Sequence, residues 1–154
     1  MPYPTKAELA EIVMRTSGNR ESSASPVAGA DELVRMREIA ASVPIAQNVL
    51  DHALQIVVGT HPTGPAATDV ARSYCRYGSS PRGAQSLVAV ARVYALLDAR
   101  FNVAKEDIRK AAPASFRHRL LLNYEADAEG ITADEVIQQV IQAVDAADRD
   151  PIQV

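Results

Sequence analysis

Residues that build disulfide frameworks and large aromatic cores are scarce in this sequence. Its 154 residues include one cysteine, no tryptophan and 5% aromatic residues. The single cysteine, Cys75, excludes an intrachain disulfide bond and fits a protein of the reducing cytoplasm. Because no second cysteine lies at a metal-binding or redox spacing, we interpret Cys75 as a small core residue.

The sequence also lacks the local motifs of several catalytic and metal sites. There is no Gly-x-x-x-x-Gly-Lys-Ser/Thr loop to hold nucleotide phosphates, and no Gly-x-Ser-x-Gly turn for a serine nucleophile. The three histidines, His52, His61 and His118, are too scattered to predict a zinc site. We therefore expect no metal site.

Long apolar runs and a strong charge of one sign are absent as well. No run approaches the roughly 18 apolar residues that a membrane-spanning helix needs, and the N-terminus has no apolar signal segment. The net charge of -3 and the pI of about 5.6 argue against a general nucleic-acid binder. The sequence thus predicts a soluble, cytoplasmic protein with no membrane span and no nucleic-acid partner.

Helical spacing of apolar residues dominates the rest of the chain and predicts an all-α bundle. No stretch alternates convincingly as a strand, although residues 120–122 suit a short extended segment. Thr5 with Glu8, and Thr132 with Glu135, form capping-box patterns that mark two helix starts, and an acidic turn is expected at residues 125–129. The predicted helices cover residues 5–16, 30–42, 46–60, 66–76, 80–100, 104–118 and 133–147.

Apolar stripes on five of these helices predict which side chains turn inward. The remaining polar, small-residue stretch at 17–29 is typical of a flexible linker. The residues expected to face inward are Leu9, Ile12 and Val13; Leu33, Met36, Ile39 and Ala40; Val49, Ala53, Ile56 and Val57; Leu87, Val90, Ala91, Tyr94 and Leu97; and Val136, Val140, Ile141 and Val144.

The segment Tyr77–Gly83 carries the most informative pattern, a tight turn that leads into a helix. Ser80 suits the N-cap and Pro81 the first helical position, which places Arg82 at the second. A cation gains nothing at the positive end of a helix, but helix N–H groups and a guanidinium together form a good phosphate site. The alternative is an exposed arginine without a ligand.

Other basic residues are secondary candidates. Arg72 and Arg76, four residues apart on a predicted helix, share a face that either lines the same cleft or is simply solvated. A basic cluster follows later in the chain and either contacts a neighbouring subunit or balances nearby acidic residues. Its members are Arg109, Lys110, Arg117, His118 and Arg119.

The stretch from Tyr77 to Val144 resembles the C-terminal lid of AAA+ ATPases of the MoxR family. The family's Gly-Ala-Ser-Pro-Arg-Ala-like motif appears here as Gly-Ser-Ser-Pro-Arg-Gly at residues 78–83, and an alanine-rich helix follows it. Further similar segments, in the family's order, are residues 103–107, 116–120 and 130–136. Upstream, residues 45–61 resemble the helix that leads to the family's Thr-Arg-Pro element.

Two departures from the family pattern are visible. Ala104 stands where a capping threonine is usual, which predicts a frayed start for the following helix. His61 stands where the Thr-Arg-Pro element has its arginine, which puts any contact of that arginine with nucleotide or a neighbouring subunit in doubt.

The resemblance implies that Arg82 is the sensor-2 arginine, which reaches the terminal phosphates of a nucleotide. Ser80 and Arg76 are the further candidates for nucleotide contact. ATP with Mg²⁺ is expected in the parent protein and no cofactor in the isolated chain, which should be inactive because it lacks Walker A and Walker B motifs. The implied partners are the chain's own nucleotide-binding core, neighbouring subunits of a hexameric ring, and a client protein for a chaperone-like parent.

On this interpretation residues 1–17 end the AAA+ core, residues 18–29 form the linker, residues 30–147 form the helical lid and residues 148–154 are a tail. Two alternatives remain at this point. One is a free-standing helical protein-interaction module without nucleotide chemistry. The other is a helical DNA-binding domain with residues 105–119 as its basic element, which the net charge disfavours.

Overall fold

The computed structural model describes residues 3–17 and 25–149. Within these ranges the chain forms eight helices and a two-stranded sheet, which confirms the predicted all-α class. The helices are α1 (Lys6–Thr16), α2 (Ala30–Ser42), α3 (Gln47–Gly59), α4 (Asp69–Tyr74), α5 (Pro81–Leu97), α6 (Lys105–Phe116), α7 (Tyr124–Glu129) and α8 (Ala133–Arg149), and the strands are β1 (Cys75–Tyr77) and β2 (Leu121–Leu122).

The chain divides into two compact units, Met1–Leu33 and Val34–Val154. In the first unit, helix α1 begins at the predicted capping box: the Thr5 N–H donates to Glu8 Oε2 over 2.7 Å, and the Glu8 N–H donates to Thr5 Oγ1 over 3.4 Å. This pairing satisfies N–H groups that have no partner inside the helix. No residue of α1 is buried.

The hydrophobic core lies in the second unit. Its largest buried side chains come from helices α3, α5, α6 and α8. The most extensive helix contact is between α5 and α6, where alanines allow close approach of the two backbones. The core includes Ile56, Leu87, Ile108, Phe116 and Ile137, with Ala91, Ala95, Ala111 and Ala112 between α5 and α6.

Helix α8 confirms both predictions made for it. The Thr132 N–H donates to Glu135 Oε2 over 2.7 Å, and the Glu135 N–H donates to Thr132 Oγ1 over 3.3 Å. Its predicted apolar stripe is buried. Local capping and a strict helical period therefore identify this helix and its inner face from the sequence alone.

Two predicted elements differ from the structure in their extent or type. The helix predicted at 66–76 is shorter, because the chain turns extended after Tyr74 and β1 pairs antiparallel with β2, with Cys75 opposite Leu122. The acidic turn predicted at 125–129 belongs to the short helix α7, whose N-cap Asn123 accepts from the Ala126 N–H over 3.0 Å. The strand pairing depends on a distant partner strand, and α7 depends on the single cap at Asn123. The spacing of apolar residues reveals neither.

The inward faces predicted for α1 and α2 are not buried. Leu9, Ile12 and Val13 on α1 are about half exposed, and so are Leu33, Met36 and Ile39 on α2, whereas Ala40 is partly buried. Their regular spacing predicts an apolar face correctly, but within the described ranges no residue of either helix is buried. The inward placement of Leu97 is also wrong, since it ends α5 and is 75% exposed.

The frayed helix start expected at Ala104 stays a prediction: α6 begins at Lys105, directly after Ala104. Ala104 offers no side-chain cap, but Asp107 forms the other half of a capping box by accepting the Ala104 N–H over 2.8 Å. The same buried carboxylate accepts two N–H groups of Arg100, over 2.6 and 2.8 Å. The hydrogen bonds from Arg100 come first among the contacts that lower the pKa of Asp107.

Parts of two predicted segments lie outside the described residues, namely 18–24 of the linker and 150–154 of the tail. Across the part that is described, no helix has both the length and the apolar character that a bilayer crossing requires.

Candidate functional site

The turn between β1 and helix α5 presents Arg82 as the sequence predicts. Pro81 is the first residue of the helix and Arg82 the second. Ser80 is extended, with φ -88° and ψ 175°, as expected for the residue before a proline. The Gly83 N–H donates to the Ser80 carbonyl over 2.8 Å, which closes the first turn of the helix.

Arg82 is exposed and carries an uncompensated charge. No carboxylate in residues 3–17 or 25–149 lies within ion-pair distance of its guanidinium, and the first turn of α5 contains no acidic residue. Its backbone N–H also has no acceptor in those ranges. Because the N-terminus of a helix is itself partly positive, this end of α5 combines two sources of positive charge.

Ser80 occupies the predicted N-cap position but does not cap the helix. Its side chain accepts no hydrogen bond from the first turn, and the residue is exposed. The hydroxyl therefore stays available beside Arg82 for a ligand or for water.

The neighbouring residue, Ser79, is tied to the end of helix α3. Its N–H donates to Thr60 Oγ1 over 2.8 Å, and the Thr60 hydroxyl donates in turn to the Val57 carbonyl over 2.6 Å. The Ser79 carbonyl lies 2.9 Å from His61 Nε2. The Thr-His-Pro element and the Ser-Pro-Arg turn, which resemble two separate parts of the MoxR pattern, are thus in direct contact.

Two glycines near Ser79, Gly78 and Gly83, lie so close to neighbouring atoms that neither position has room for a Cβ beside the present side chains. A Cβ at Gly78 would lie 2.5 Å from the Thr60 carbonyl oxygen, which is fixed backbone. A Cβ at Gly83 would lie 1.9 Å from Ser79 Oγ and 3.4 Å from Phe116 Cε1. The turn and the end of α3 therefore pack without room for a further side-chain atom.

The structure does not place Arg72 and Arg76 on one helical face, because α4 ends at Tyr74. Arg76 lies on β1, exposed, with its guanidinium 5.7 Å from the centre of the Tyr77 ring. Arg72 donates to the Gly64 carbonyl over 3.0 Å and so braces the loop before α4. Arg76 remains a predicted nucleotide contact, since its strand leads directly into the Ser-Pro-Arg turn.

The predicted basic cluster is divided among separate partners. Arg117 binds Asp134 with two hydrogen bonds, over 2.7 and 2.8 Å, and Lys110 lies 3.2 Å from Glu106. Arg119 donates to the Ser115 carbonyl over 3.1 Å. These pairs favour the interpretation in which the basic residues balance nearby acidic ones.

One polar cluster was missed by the sequence reasoning because its members are about 95 residues apart. Buried His52 on α3 has Nδ1 2.8 Å from Asp148 Oδ2 and Nε2 3.6 Å from Asp145 Oδ1. Its ligand-type atoms lie within 4.8 Å of one another, a spacing that a metal ion can bridge.

Two cations already neutralise this cluster. Arg109 binds Asp145 through Nε and a terminal N–H, over 2.9 Å each, and Lys105 Nζ lies 2.7 Å from Asp148 Oδ2. The hydrogen bond from Lys105 is the first cause that lowers the pKa of Asp148, ahead of the one with His52. We interpret the cluster as a polar junction that joins α3, α6 and α8.

Cys75 is in the core, as predicted, and burial raises the pKa of its thiol to about 11. A thiol with so high a pKa is not a nucleophile near neutral pH.

Comparisons with known proteins agree with the resemblance. Residues 67–140 match the AAA lid domain family. The chain is 32% identical over 142 residues to Chaperone MoxR1 of Mycobacterium tuberculosis, covering 92% of this chain and 37% of that protein. It is 28% identical over 147 residues to the uncharacterized protein YeaC of Bacillus subtilis, covering 94% of this chain and 42% of YeaC.

A solved structure shows the same fold. It is a crystal structure of a protein provisionally assigned as an ATPase, from Cytophaga hutchinsonii, with a TM-score of 0.72 and 28% identity over 92% of this chain and 43% of that one. The chain thus spans about two fifths of the length of the proteins that it matches.

Proposed function

We propose that this chain, which belongs to the lid region of the MoxR family of AAA+ ATPases, supplies Arg82 to the nucleotide of the ATPase of which it is a part. One observation carries the proposal: Arg82 stands exposed and without a carboxylate partner in the described ranges at the positive end of α5. A phosphate is the group that such an arrangement of N–H groups and guanidinium recognises best.

The proposed chemistry is electrostatic. In phosphoryl transfer the negative charge is spread over the oxygens of the terminal phosphate, and a guanidinium beside them stabilises the transition state. ATP and Mg²⁺ would be held by the nucleotide-binding core, and Arg82 would complete the site from the lid side. The Ser80 hydroxyl and Arg76 are proposed as additional contacts of the nucleotide or its ordered water.

The exposed apolar faces support a protein partner outside this chain. Helices α1 and α2 each carry an apolar stripe, and no described residue of either helix is buried. Such faces usually mark interfaces. We propose that residues 1–17 belong to the end of the AAA+ core, that residues 30–147 form the lid, and that these faces meet the core and neighbouring subunits of a hexameric ring.

The parent is further proposed to act in the cytoplasm as a chaperone-like factor in the maturation or assembly of other proteins. This role comes from the family and from the name of the mycobacterial relative. The client protein would be identified by crosslinking to the assembled ring in the presence of ATP.

The proposal is tested by Arg82→Ala and Arg82→Lys in the ATPase that contains this lid. We expect Arg82→Ala to leave the Kd for ATP within a few-fold and to reduce kcat by at least an order of magnitude, with partial activity in Arg82→Lys. The control is Gln85→Ala, an exposed residue one turn further along α5. Unchanged kcat in Arg82→Ala would contradict the proposed role.

A second candidate function, a free-standing helical interaction module, is favoured by one feature. An apolar groove of about 570 Å³ runs between α2 and α5 in the second unit and suits an amphipathic partner helix. It is lined by Val34, Arg37, Glu38, Ala40, Ala41, Ala89, Arg92 and Val93. A module that works through this groove would lose its partner in Ala89→Arg and would be insensitive to Arg82→Ala.

A further inference from the structure

We propose that Thr60 and His61 are positioning residues for Arg82, acting through Ser79. The inference rests on the proposed role of Arg82 at the nucleotide. It adds the residues that fix the backbone position from which the Arg82 side chain extends. In this role neither Thr60 nor His61 needs to touch the nucleotide. Both lie just beyond α3, at a point where the chain contacts the turn that begins α5.

The contact fixes Ser79 at both of its backbone polar groups. Thr60 Oγ1 accepts the Ser79 N–H over 2.8 Å, and His61 Nε2 lies 2.9 Å from the Ser79 carbonyl. Thr60 is fully buried and Ser79 is 1% exposed, so water does not compete for the Ser79 N–H. A buried hydrogen bond of this kind is costly to lose because the donor would remain without a partner.

The direction of each hydrogen bond follows from its partners. The Thr60 hydroxyl donates to the Val57 carbonyl over 2.6 Å, which leaves its oxygen free to accept from Ser79. The Ser79 carbonyl can only accept, so the ring nitrogen of His61 that faces it, Nε2, must carry the proton. Since Nε2 is a donor in both the neutral and the charged imidazole, this bond does not depend on the charge of His61.

The geometry after Ser79 leaves little freedom before Arg82. Ser80 is held extended by the following proline, Pro81 has a fixed φ, and the Gly83 N–H closes the turn onto the Ser80 carbonyl. The position of the Arg82 Cα is therefore set by Ser79 and, through it, by Thr60 and His61. The long Arg82 side chain can still change its rotamer, but its Cα position is fixed.

This placement also accounts for the departure from the Thr-Arg-Pro pattern at residue 61. Arginine and the Nε2-protonated imidazole are both N–H donors, so a donor is kept at the position. In this chain the donor faces the Ser79 carbonyl.

The first experiment measures the contact itself in the 154-residue chain by amide hydrogen exchange. Thr60→Val keeps the shape and removes the acceptor, and we expect exchange at the Ser79 N–H to rise on the order of tenfold. Thr60→Ser keeps the hydroxyl and should leave the exchange rate near that of the unaltered chain. Unaltered exchange in Thr60→Val would overturn the inference, because the hydrogen bond would not then restrain Ser79.

The second experiment measures the consequence in the ATPase that contains the lid. We expect His61→Ala and Thr60→Val each to lower kcat on the order of tenfold, because a small displacement of a catalytic group has effects of this size. KM for ATP should change much less. His61→Gln, whose amide N–H can replace Nε2–H, should recover most of the loss, and so should Thr60→Ser.

A double variant separates positioning from general stability. In an Arg82→Ala background, adding His61→Ala should lower kcat no further, since there is no longer a guanidinium to position. An independent, additive loss would overturn the positioning role and leave the proposed function standing. If Arg82→Ala alone has no effect on kcat, the proposed function fails and this inference fails with it.

Discussion

The packing between Ser79 and Gly83 allows a sharp prediction for Gly83→Ala. On propensity alone the change should stabilise a helix by up to about 1 kcal/mol, since alanine is the better helix former. The structure predicts the opposite sign. The added Cβ would lie 1.9 Å from Ser79 Oγ and 3.3 Å from Ser79 Cβ, beside a side chain that is only 1% exposed and has little room to move.

The magnitude follows from overpacking. Forcing one extra methyl group into a closed site costs about 1–3 kcal/mol, and the propensity gain offsets part of this. We therefore expect Gly83→Ala to lower the free energy of unfolding by about 1–2 kcal/mol, or the Tm by roughly 2–8 °C for a chain of this length. Urea unfolding of the 154-residue chain, followed by circular dichroism, measures the first quantity directly.

Ser79→Ala supplies the matched control. The Ser79 hydroxyl is buried and has no hydrogen-bond partner among the described atoms, so its removal should be close to neutral. It also removes the atom that an added Cβ at position 83 would meet. The double variant Ser79→Ala/Gly83→Ala should therefore be more stable than Gly83→Ala alone by at least about 1 kcal/mol. A stabilising Gly83→Ala, or strict additivity of the two changes, would refute this account.

The double variant Ser79→Ala/Gly83→Ala also recreates the Gly-Ala-Ser-Pro-Arg-Ala motif of the resembled family at residues 78–83. In this chain the two departures from that motif compensate each other. The Ser79 hydroxyl occupies the space in which the methyl group of an alanine at position 83 would lie. Relative to that motif, the atom added by serine at position 79 fills the space left by glycine at position 83. The packed volume is kept, which explains how α5 tolerates a glycine in its first turn.

Two further predictions follow from buried ionisable groups. Asp107→Asn should lower the free energy of unfolding at neutral pH by about 1–3 kcal/mol, because it removes the buried carboxylate that binds Arg100 and leaves that guanidinium with the more exposed carboxylate of Asp98. Arg100 lowers the pKa of Asp107, so the Asp107 carboxylate stabilises the fold fully above its unfolded pKa, near 3.8, and this stabilisation is lost as the pH falls through the folded pKa. Urea titrations should therefore show a smaller difference in unfolding free energy between Asp107→Asn and the unaltered chain at pH 3 than at pH 6. With its pKa raised to about 11, Cys75 should react with a thiol reagent at pH 8 far more slowly in the native chain than in urea.

Features encoded within one turn of helix were predictable from the sequence. The capping boxes at Thr5 and Thr132 form as their spacing indicates, and Arg82 occupies the second position of α5. In each case the residues that decide the structure are three or four positions apart, so tertiary packing has little opportunity to override them.

Features that depend on distant partners were not predictable. The pairing of β1 with β2, the contact of His61 with Ser79 and the junction around His52 all join segments that are far apart in the sequence. The apolar stripes on α1 and α2 also show what helical periodicity cannot predict. Periodicity shows that a helix has an apolar face, but it does not say whether the cover for that face belongs to the same chain.

Helix α3 is connected with other elements of the second unit by polar contacts at two points. At the middle of α3, His52 joins this helix to Asp148 of α8, which Lys105 of α6 also contacts. Just beyond its end, Thr60 and His61 hold the turn that carries Arg82. Between these contacts the helix is continuous and its inner face is buried. Helix α3 therefore connects the turn that carries Arg82 with α6 and α8 through polar contacts. On the proposed function, we expect contacts made or lost at Arg82 to affect α6 and α8 through α3, which is how a phosphate contact could be coupled to motion.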